Sequence, residues 1–549
     1  MYKESSLQRK YQNSIFIFRR DLRLKDNTAL INALYSSNSV YCFFILDSNI
    51  LLSNSLYSSF SLPIDPILLL KRKQRRIHLL RFLKESMLDL QKQFDKLDID
   101  KEKEEVGKDN LRITSKLTFL VGDPVSTIKK ILQLDKKIEA VFVNRDYTPY
   151  SKERDRSIKE ICRSINIDFI ECPDILINEP EEILNSTNGA FKVFSHYYNK
   201  AIEKPLRKES FFDIKKYKIN IISFDNINNS KKLKNFNSIE RINNIEEFFS
   251  QIINEQFPVI NNTTSLTSPT QLLLSGTRKK YRELISALKY KFNEDNNQKE
   301  YINLLDNTAS HLSPYLKFGI CSIREVYSAI QKELGFNHRL LRQLYWRDFY
   351  VYIGFHFPFV FTSPFQERYR RKSKINFIEW KNDPKEFELW CNGKTGFPIV
   401  DAGMRELNET GYMHNRVRLI TASFLVKDLH IDWRYGERYF GLKLVDYDPS
   451  INNGNWQWVA STGCDAQPFF RIFNPWLQQK KFDPNCNYIK KWIPELKDTS
   501  VNLIHEWYNT VNSTIDKSTK LFQIENYPRP IVEHHKEIIV TRELYNLVN

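Results

Sequence analysis

From residue 14 to about residue 175 the chain alternates short apolar runs with longer stretches of helical period. SIFIF (14–18), VYCFFIL (40–46), KLTFLVG (116–122) and AVFVNR (140–145) predict strands, and HLLRFLKESMLDLQKQF (78–94) predicts an amphipathic helix between them. This rhythm predicts an α/β domain over 14–175, a parallel sheet with helices against it. The first glycine of the chain is Gly107, so no G-x-G-x-x-G loop follows the first strand. Ordinary dinucleotide binding at that strand is therefore excluded.

Residues 176–270 change to polar text such as FDNINNSKKLKNFNS and NNTTSLTSPT, which reads as an interdomain linker with an inserted loop over 222–268. From 271 to 500 the pattern is helical, and all nine tryptophans lie between Trp346 and Trp507. An all-α, aromatic-rich second domain is expected there. Residues 501–549 are expected to form a C-terminal extension.

Charge adds a candidate partner. The net charge of +16 and pI near 9.2 make a positive field suited to phosphate backbones. The seven cysteines contain no C-x-x-C pair, which argues against a zinc ribbon, an iron–sulfur cluster or a disulfide scaffold, and no metal site is expected. No apolar run approaches the ~18 residues of a membrane span, and the polar N-terminus does not resemble a signal peptide. The expectation is a soluble, intracellular monomer, cytoplasmic or nuclear, with no membrane partner.

Four stretches of the helical region combine polar groups with aromatics. ASHLSPYLKFG (309–319) sets Ser310 and Ser313 before Pro314, either an ordinary capped helix or a hydroxyl and N–H cluster able to hold phosphates. RQLYWRDFY (342–350) puts Gln343, Trp346, Arg347 and Tyr350 on one helical face, a binding face or a buried aromatic stripe with a salt bridge. In GYMHNRVRLITASF (411–424), Asn415, Arg418 and Leu419 share a face that meets either an anionic ligand or the acids Asp446 and Asp448. DYDPSINNGNWQW (446–458) packs carboxylates, amides and indoles together. Without His or Cys at ligand spacing, its aspartates read as salt-bridge partners, structural or to a cofactor.

With these stretches, FRRDLRLKDNTAL (18–30), NRDYTPYSKERD (144–155), GKTGFPIVDAGMRELNETGYMHNRVR (393–418) and DYDPSINNGNWQWVASTGCDAQPFFRIFNP (446–475) stand in an order that resembles the photolyase/cryptochrome flavoproteins. The resemblance is greatest to class I cyclobutane pyrimidine dimer photolyases. It implies an α/β antenna domain and a helical domain holding FAD. By the same resemblance Ser310, Leu312 and Ser313 form the FAD phosphate loop, where Ala309 replaces a usual Thr. Gln343, Arg347, Tyr350, Asn415, Arg418, Asp446 and Asp448 join them in the cofactor site, and Asn452 faces flavin N5. Trp456, Trp433 and Trp380 form an electron chain to the flavin. Trp346 and Trp458 clasp the flipped lesion, and Asn415, Leu419 and Gln478 also reach substrate. Tyr301 is a candidate flavin-site tyrosine.

The implied function is light-dependent DNA repair, a carbon–carbon lyase reaction in which excited reduced FAD donates an electron to a pyrimidine dimer. The alternatives are a cryptochrome-type blue-light receptor and a (6-4) photoproduct photolyase. Plant-type receptors carry Asp at the position of Asn452 and animal ones Cys, which favours repair. Gln343 stands where class I enzymes have Glu and (6-4) enzymes have Gln, yet the histidines on which (6-4) repair depends are replaced by Asn415 and Leu419. His414, adjacent on the helix, faces elsewhere and reads as structural. A second, antenna chromophore of undetermined identity is expected. Folate is disfavoured, because Tyr150 and Ser151 stand where the family's folate-holding Asn–Glu pair would be.

Overall fold

The computed structural model describes residues 9–47, 77–102, 117–210, 212–214, 216, 221–223, 239–256, 274–292, 309–370, 378–511 and 527–548. The N-terminal region is built from β1 (Tyr11–Phe18), α1 (Thr28–Ser36), β2 (Ser37–Leu46), α2 (Ile77–Glu102), β3 (Leu117–Val121), α3 (Pro124–Leu134), β4 (Ile138–Asn144), α4 (Pro149–Ser164) and β5 (Asp168–Cys172). Strand order is β5-β4-β1-β2-β3, all parallel. Both faces are covered, so the strands are apolar throughout rather than alternating with polar residues. Within β1, Ile15 and Ile17 enter one core while Phe16 and Phe18 enter the other. Helix starts follow local chemistry: Asp123 and Thr148 accept from Ser126 N and Ser151 N, each followed by proline in the first turn.

The linker does more than connect. β6 (Ile221–Ile222) pairs with β2, and β7 (Glu240–Arg241) lies antiparallel on β3, so this segment extends the sheet. It also supplies α5 (Phe194–Ile202) and α6 (Ile245–Gln256). Most of the expected 222–268 insertion, and Tyr301, lie outside the described residues.

The helical region comprises α7 (Arg278–Lys291), α8 (Ser313–Phe318), α9 (Ile323–Leu334), α10 (Arg339–His356), α11 (Pro384–Cys391), α12 (Pro398–Thr410), α13 (Asn415–Lys427), α14 (Trp433–Lys443), α15 (Pro449–Val459), α16 (Pro475–Phe482), α17 (Asn487–Trp492), α18 (Val501–His505) and α19 (His534–Asn546). One apolar cluster runs from Phe16 and Phe18 of the sheet through Tyr315 of α8 to Phe349 of α10, joining the two regions. Buried ions reinforce the seam: Arg23 Nη2 donates to both oxygens of Asp174 at 2.8 and 2.7 Å, and Arg324 Nη2 to Asp174 Oδ1 at 2.8 Å. Burial would raise the Asp174 pKa, but the two guanidiniums hold it down at about 2.

The boundary expected at residue 500 does not mark an edge of packing. Tyr527 donates to Asp401 Oδ2 at 2.6 Å, Thr541 to the Lys427 carbonyl, and Tyr545 to Ala460 O at 2.6 Å, all buried. Residues 527–548 are thus part of the helical body, because they satisfy polar groups that α12, α13 and α15 leave open.

Candidate cofactor and substrate site

A cavity of about 280 Å³ opens between α8, α10, α13, α14 and α15. It gathers Ser310, Leu312, Ser313, Gln343, Arg347, Asn415, Arg418, Leu419, Asp446, Asp448, Asn452 and Trp456, residues spread over four separate stretches of sequence. At its floor, Asp446 Oδ2 accepts from Arg418 Nη2 at 3.0 Å and from Ser313 Oγ at 2.6 Å. Arg418 Nε is tied to Met413 O at 2.7 Å, so the guanidinium is held in orientation. Asp446 Oδ1 is buried and has no protein partner. A buried carboxylate oxygen in that state marks a place for a donor from a bound group.

Asn452 Nδ2 donates to Glu437 O at 3.0 Å. Its Oδ1 is thereby left as the atom offered to the cavity. Trp456 is buried on α15, where Gly436 of α14 admits it: a methyl group on that glycine would lie 2.1 Å from Trp456 Cη2. Trp433 stands one turn before Gly436 on α14 and is buried in the same core as Trp456. Trp380 is half-buried further out, with its ring edge-on to Tyr545 of α19 at 6.2 Å.

Asp448 reaches the cavity wall, but its carboxylate is already engaged. Oδ1 caps α15 through Ser450 N at 3.0 Å and Ile451 N at 3.3 Å, and Oδ2 takes Arg20 Nη2. It is a helix cap and a salt-bridge partner as well as a lining residue of the cavity. Tyr350 is placed differently from Gln343 and Arg347. It lies outside the cavity lining, pressed on Gly454 of α15, where a methyl group would lie 2.1 Å from Tyr350 Cδ1. The four residues of the α10 face divide by i,i+4 pairing: Gln343 and Arg347 turn to the cavity, while Trp346 and Tyr350 pack together with ring centroids 5.7 Å apart.

Arg20 and Lys317 line the same cavity and were not singled out from sequence. Burial and the neighbouring Arg20 push the Lys317 pKa down to about 8. Trp458 and Gln478 meet instead in a second cavity of about 370 Å³ with Arg416, Arg471, Phe473, Lys481 and Phe482. Gln478 Oε1 there is buried and has no partner. Asn415 and Leu419 line the main cavity one turn apart. His414 instead caps α13, its Nδ1 accepting from Arg416 N at 3.1 Å. Burial, then Arg418 and Arg416, push the His414 pKa down to about 4. On the α/β side, Tyr150 OH donates to Asp47, and Ser151 Oγ donates to Asp146 Oδ2 at 3.0 Å. No helix of the described residues is long and apolar enough to cross a membrane, and no group of three or more His, Cys, Asp or Glu among them could hold a metal ion.

The parallel sheet and the helical cavity define a flavoprotein of the photolyase/cryptochrome class. Residues 14–100 and 105–211 match the DNA photolyase family, and residues 340–546 match the FAD binding domain of DNA photolyase. The chain belongs to the DNA photolyase family. It is 32% identical over 539 residues to a deoxyribodipyrimidine photo-lyase of Vibrio cholerae, covering 96% of this chain and 98% of that one. A photolyase structure from Sulfolobus tokodaii with two FAD molecules superposes with a TM-score of 0.72 at 32% identity, covering 97% of this chain and 100% of that one. A cryptochrome from Synechocystis gives a TM-score of 0.74 at 25% identity, over 97% and 99% of the two chains.

Proposed function

We propose that the protein is a deoxyribodipyrimidine photo-lyase that binds FAD in the helical cavity and repairs cyclobutane pyrimidine dimers in DNA under light. The observation that carries this reading is one cavity in which Asp446 Oδ1 has no partner, the Asn452 amide oxygen is free, and Trp456 forms part of the wall. Reduced FAD, when bound, supplies the light-driven electron that opens the dimer. Asp446 Oδ1 would accept from a donor of the bound cofactor, and Arg418 balances the carboxylate charge. The Asn452 amide oxygen would accept from the bound cofactor without adding a formal charge. Ser310, Leu312, Ser313, Arg20 and Lys317 suit the diphosphate, and Arg347, held by Ile175 O at 3.0 Å, keeps the cationic wall in place. Trp456, Trp433 and Trp380 would pass electrons to the bound cofactor.

On the DNA side, Trp346 and Trp458 clasp the extruded lesion, and Arg416, Arg471 and Lys481 beside Gln478 favour the backbone. The cyclobutane dimer is preferred over the (6-4) photoproduct because Asn415 and Leu419 occupy the wall where a proton donor would be needed. The likeness to a cryptochrome keeps a receptor as the second reading. For the antenna, Tyr150 and Ser151 are each engaged by an aspartate and offer folate no carboxylate, so a second flavin fits this reading better. A monomer in an intracellular compartment completes it.

The deciding experiment is anaerobic incubation of purified holoprotein with duplex DNA holding one defined cyclobutane dimer, under blue light and in the dark. Light-only loss of the dimer is expected. Full occupancy with reduced flavin and no loss of dimer leaves the receptor reading.

A further inference from the structure

Trp346 does not stand alone on its side of α10. Phe194, the first residue of α5, lies flat against it with ring centroids 3.7 Å apart and planes 11° from parallel. Phe194 is itself buried, edge-on to Phe349 of α10 at 5.6 Å, and stacked on Tyr198 one turn along α5 at 5.6 Å. The exposed Arg342 holds its guanidinium 5.4 Å from the Phe194 ring and 5.1 Å from the Tyr198 ring, and no carboxylate among the described residues pairs with it. An arginine seated on two rings keeps its N–H edges free for an oxyanion.

The backbone of this linker segment is fixed from the opposite side. Phe194 N donates to Asp465 Oδ2 at 3.0 Å, and Cys464 Sγ donates to Lys192 O at 2.8 Å. Cys464 and Asp465 stand just beyond the end of α15, the helix that carries Trp458. The linker therefore bridges the two helices bearing the indoles of the clasp.

We propose that Phe194 is a positioning residue for lesion binding: it backs the Trp346 indole so that one face remains for a base, and it seats Arg342 to take a DNA phosphate beside that base. The inference rests on the reading above that Trp346 contacts the dimer. A flipped base gains most from a platform that is already immobile, because less side-chain freedom is lost on binding. The phosphate contact adds a salt-dependent term common to damaged and undamaged DNA.

The test is anisotropy binding of the FAD-loaded protein to duplexes with and without one cyclobutane dimer, over a range of salt. Phe194→Ala is expected to lose roughly tenfold in affinity for dimer DNA, the order of one lost base–aromatic stack, with flavin content and light-driven flavin reduction as in wild type. Phe194→Tyr, which keeps the ring, restores the preference. Arg342→Gln is expected to lower the slope of log affinity against log salt by about one on both duplexes. Wild-type preference for the dimer in Phe194→Ala, or an unchanged slope in Arg342→Gln, overturns the proposal. Should Phe194→Ala lose flavin, Phe194→Leu decides, since it keeps apolar volume without a ring face; a wild-type preference there also overturns it. A wild type that does not prefer dimer DNA instead brings down the functional reading on which the proposal rests.

Discussion

Arg20 and Asp448, 428 positions apart in the chain, meet at the wall of the cofactor cavity and tie the sheet domain to the helix that carries Asn452 and Trp456. Arg20 Nη1 also reaches Asp146 Oδ1 at 3.2 Å, and its Nε reaches Lys317 O at 3.3 Å. Asp448 is buried and the Asp146 side chain largely so, which alone would raise their pKa values, yet Arg20 heads the charges that hold each below the ordinary carboxylate value.

Replacing Arg20 with Gln leaves the buried Asp448 and the largely covered Asp146 short of their main counter-charge, so we expect a loss of about 3–5 kcal/mol of stability at pH 7. The sign with pH follows from the depressed values. The stabilisation is complete above the unfolded carboxylate pKa of about 3.9 and is lost as pH falls through the folded values. Wild type should therefore resist acid to below about pH 4, whereas Arg20→Gln lacks this contribution. Denaturant melts at pH 7 and an acid titration followed by tryptophan emission check both points; identical curves would remove Arg20 from the seam.

Much of this arrangement was legible in the sequence, and the omissions have physical causes. The strands announced themselves because a sheet covered on both faces needs unbroken apolar runs, as in Val40 to Leu46. Ser313, Arg418, Asp446 and Asn452 could be grouped by the order of their motifs. Arg20 could not be paired with Asp448 from pattern alone, because nothing local links a strand end to a helix cap so far along the chain. Tyr350 shares a helix face with Gln343, but whether that face meets a cavity or a glycine is decided by Gly454 on another helix. The linker strands Ile221–Ile222 and Glu240–Arg241 are too short to give a period.

Glu437 gives the opposite pH dependence. Its carboxylate is buried on α14 and accepts Asn453 Nδ2 at 3.0 Å, and burial pushes its pKa up to about 8. The folded state keeps a proton that the unfolded chain releases near pH 4.3, so this contribution weakens stability progressively from about pH 4.3 to 8. Glu437→Gln should therefore melt higher than wild type at pH 9, by on the order of a few kcal/mol, and nearly equal it at pH 5. Calorimetry at the two pH values checks the difference; an equal offset at both would mean that Glu437 does not titrate in this range.

Trp456 lines the cavity, Trp433 is buried in the same core, and Trp380 is half-buried against that core. Phe at any of the three keeps most of the packing volume but is far harder to oxidise than indole. Each change should slow light-driven reduction of oxidised FAD, while repair by chemically pre-reduced protein survives Trp433→Phe and Trp380→Phe. Transient absorption with an external donor gives the rates. Wild-type rates in all three variants would show that the electrons arrive by another route.

Gln343 stands exposed in the lining of the cavity that also holds Asn415 and Leu419, the residues on which the proposed choice of lesion rests. An amide can replace a carboxylate as a hydrogen-bond partner for a dimer, since its oxygen still accepts and its nitrogen donates. Transfer of a proton to the hydroxyl of a (6-4) product is a different demand. Leucine cannot meet it, and neutral asparagine is no acid at working pH. His414 cannot substitute, because its Nδ1 is engaged with Arg416 N and its pKa of about 4 leaves the ring neutral near pH 7. Gln343 is thus expected to tune efficiency rather than select substrate. Gln343→Glu should keep or raise the quantum yield for cyclobutane dimers by adding a charge-assisted hydrogen bond, with no gain on (6-4) DNA. Quantum yields on two defined oligonucleotides, one for each lesion, measure this directly. Efficient wild-type repair of the (6-4) product with none of the cyclobutane dimer would reverse the assignment and make the amide the selecting group.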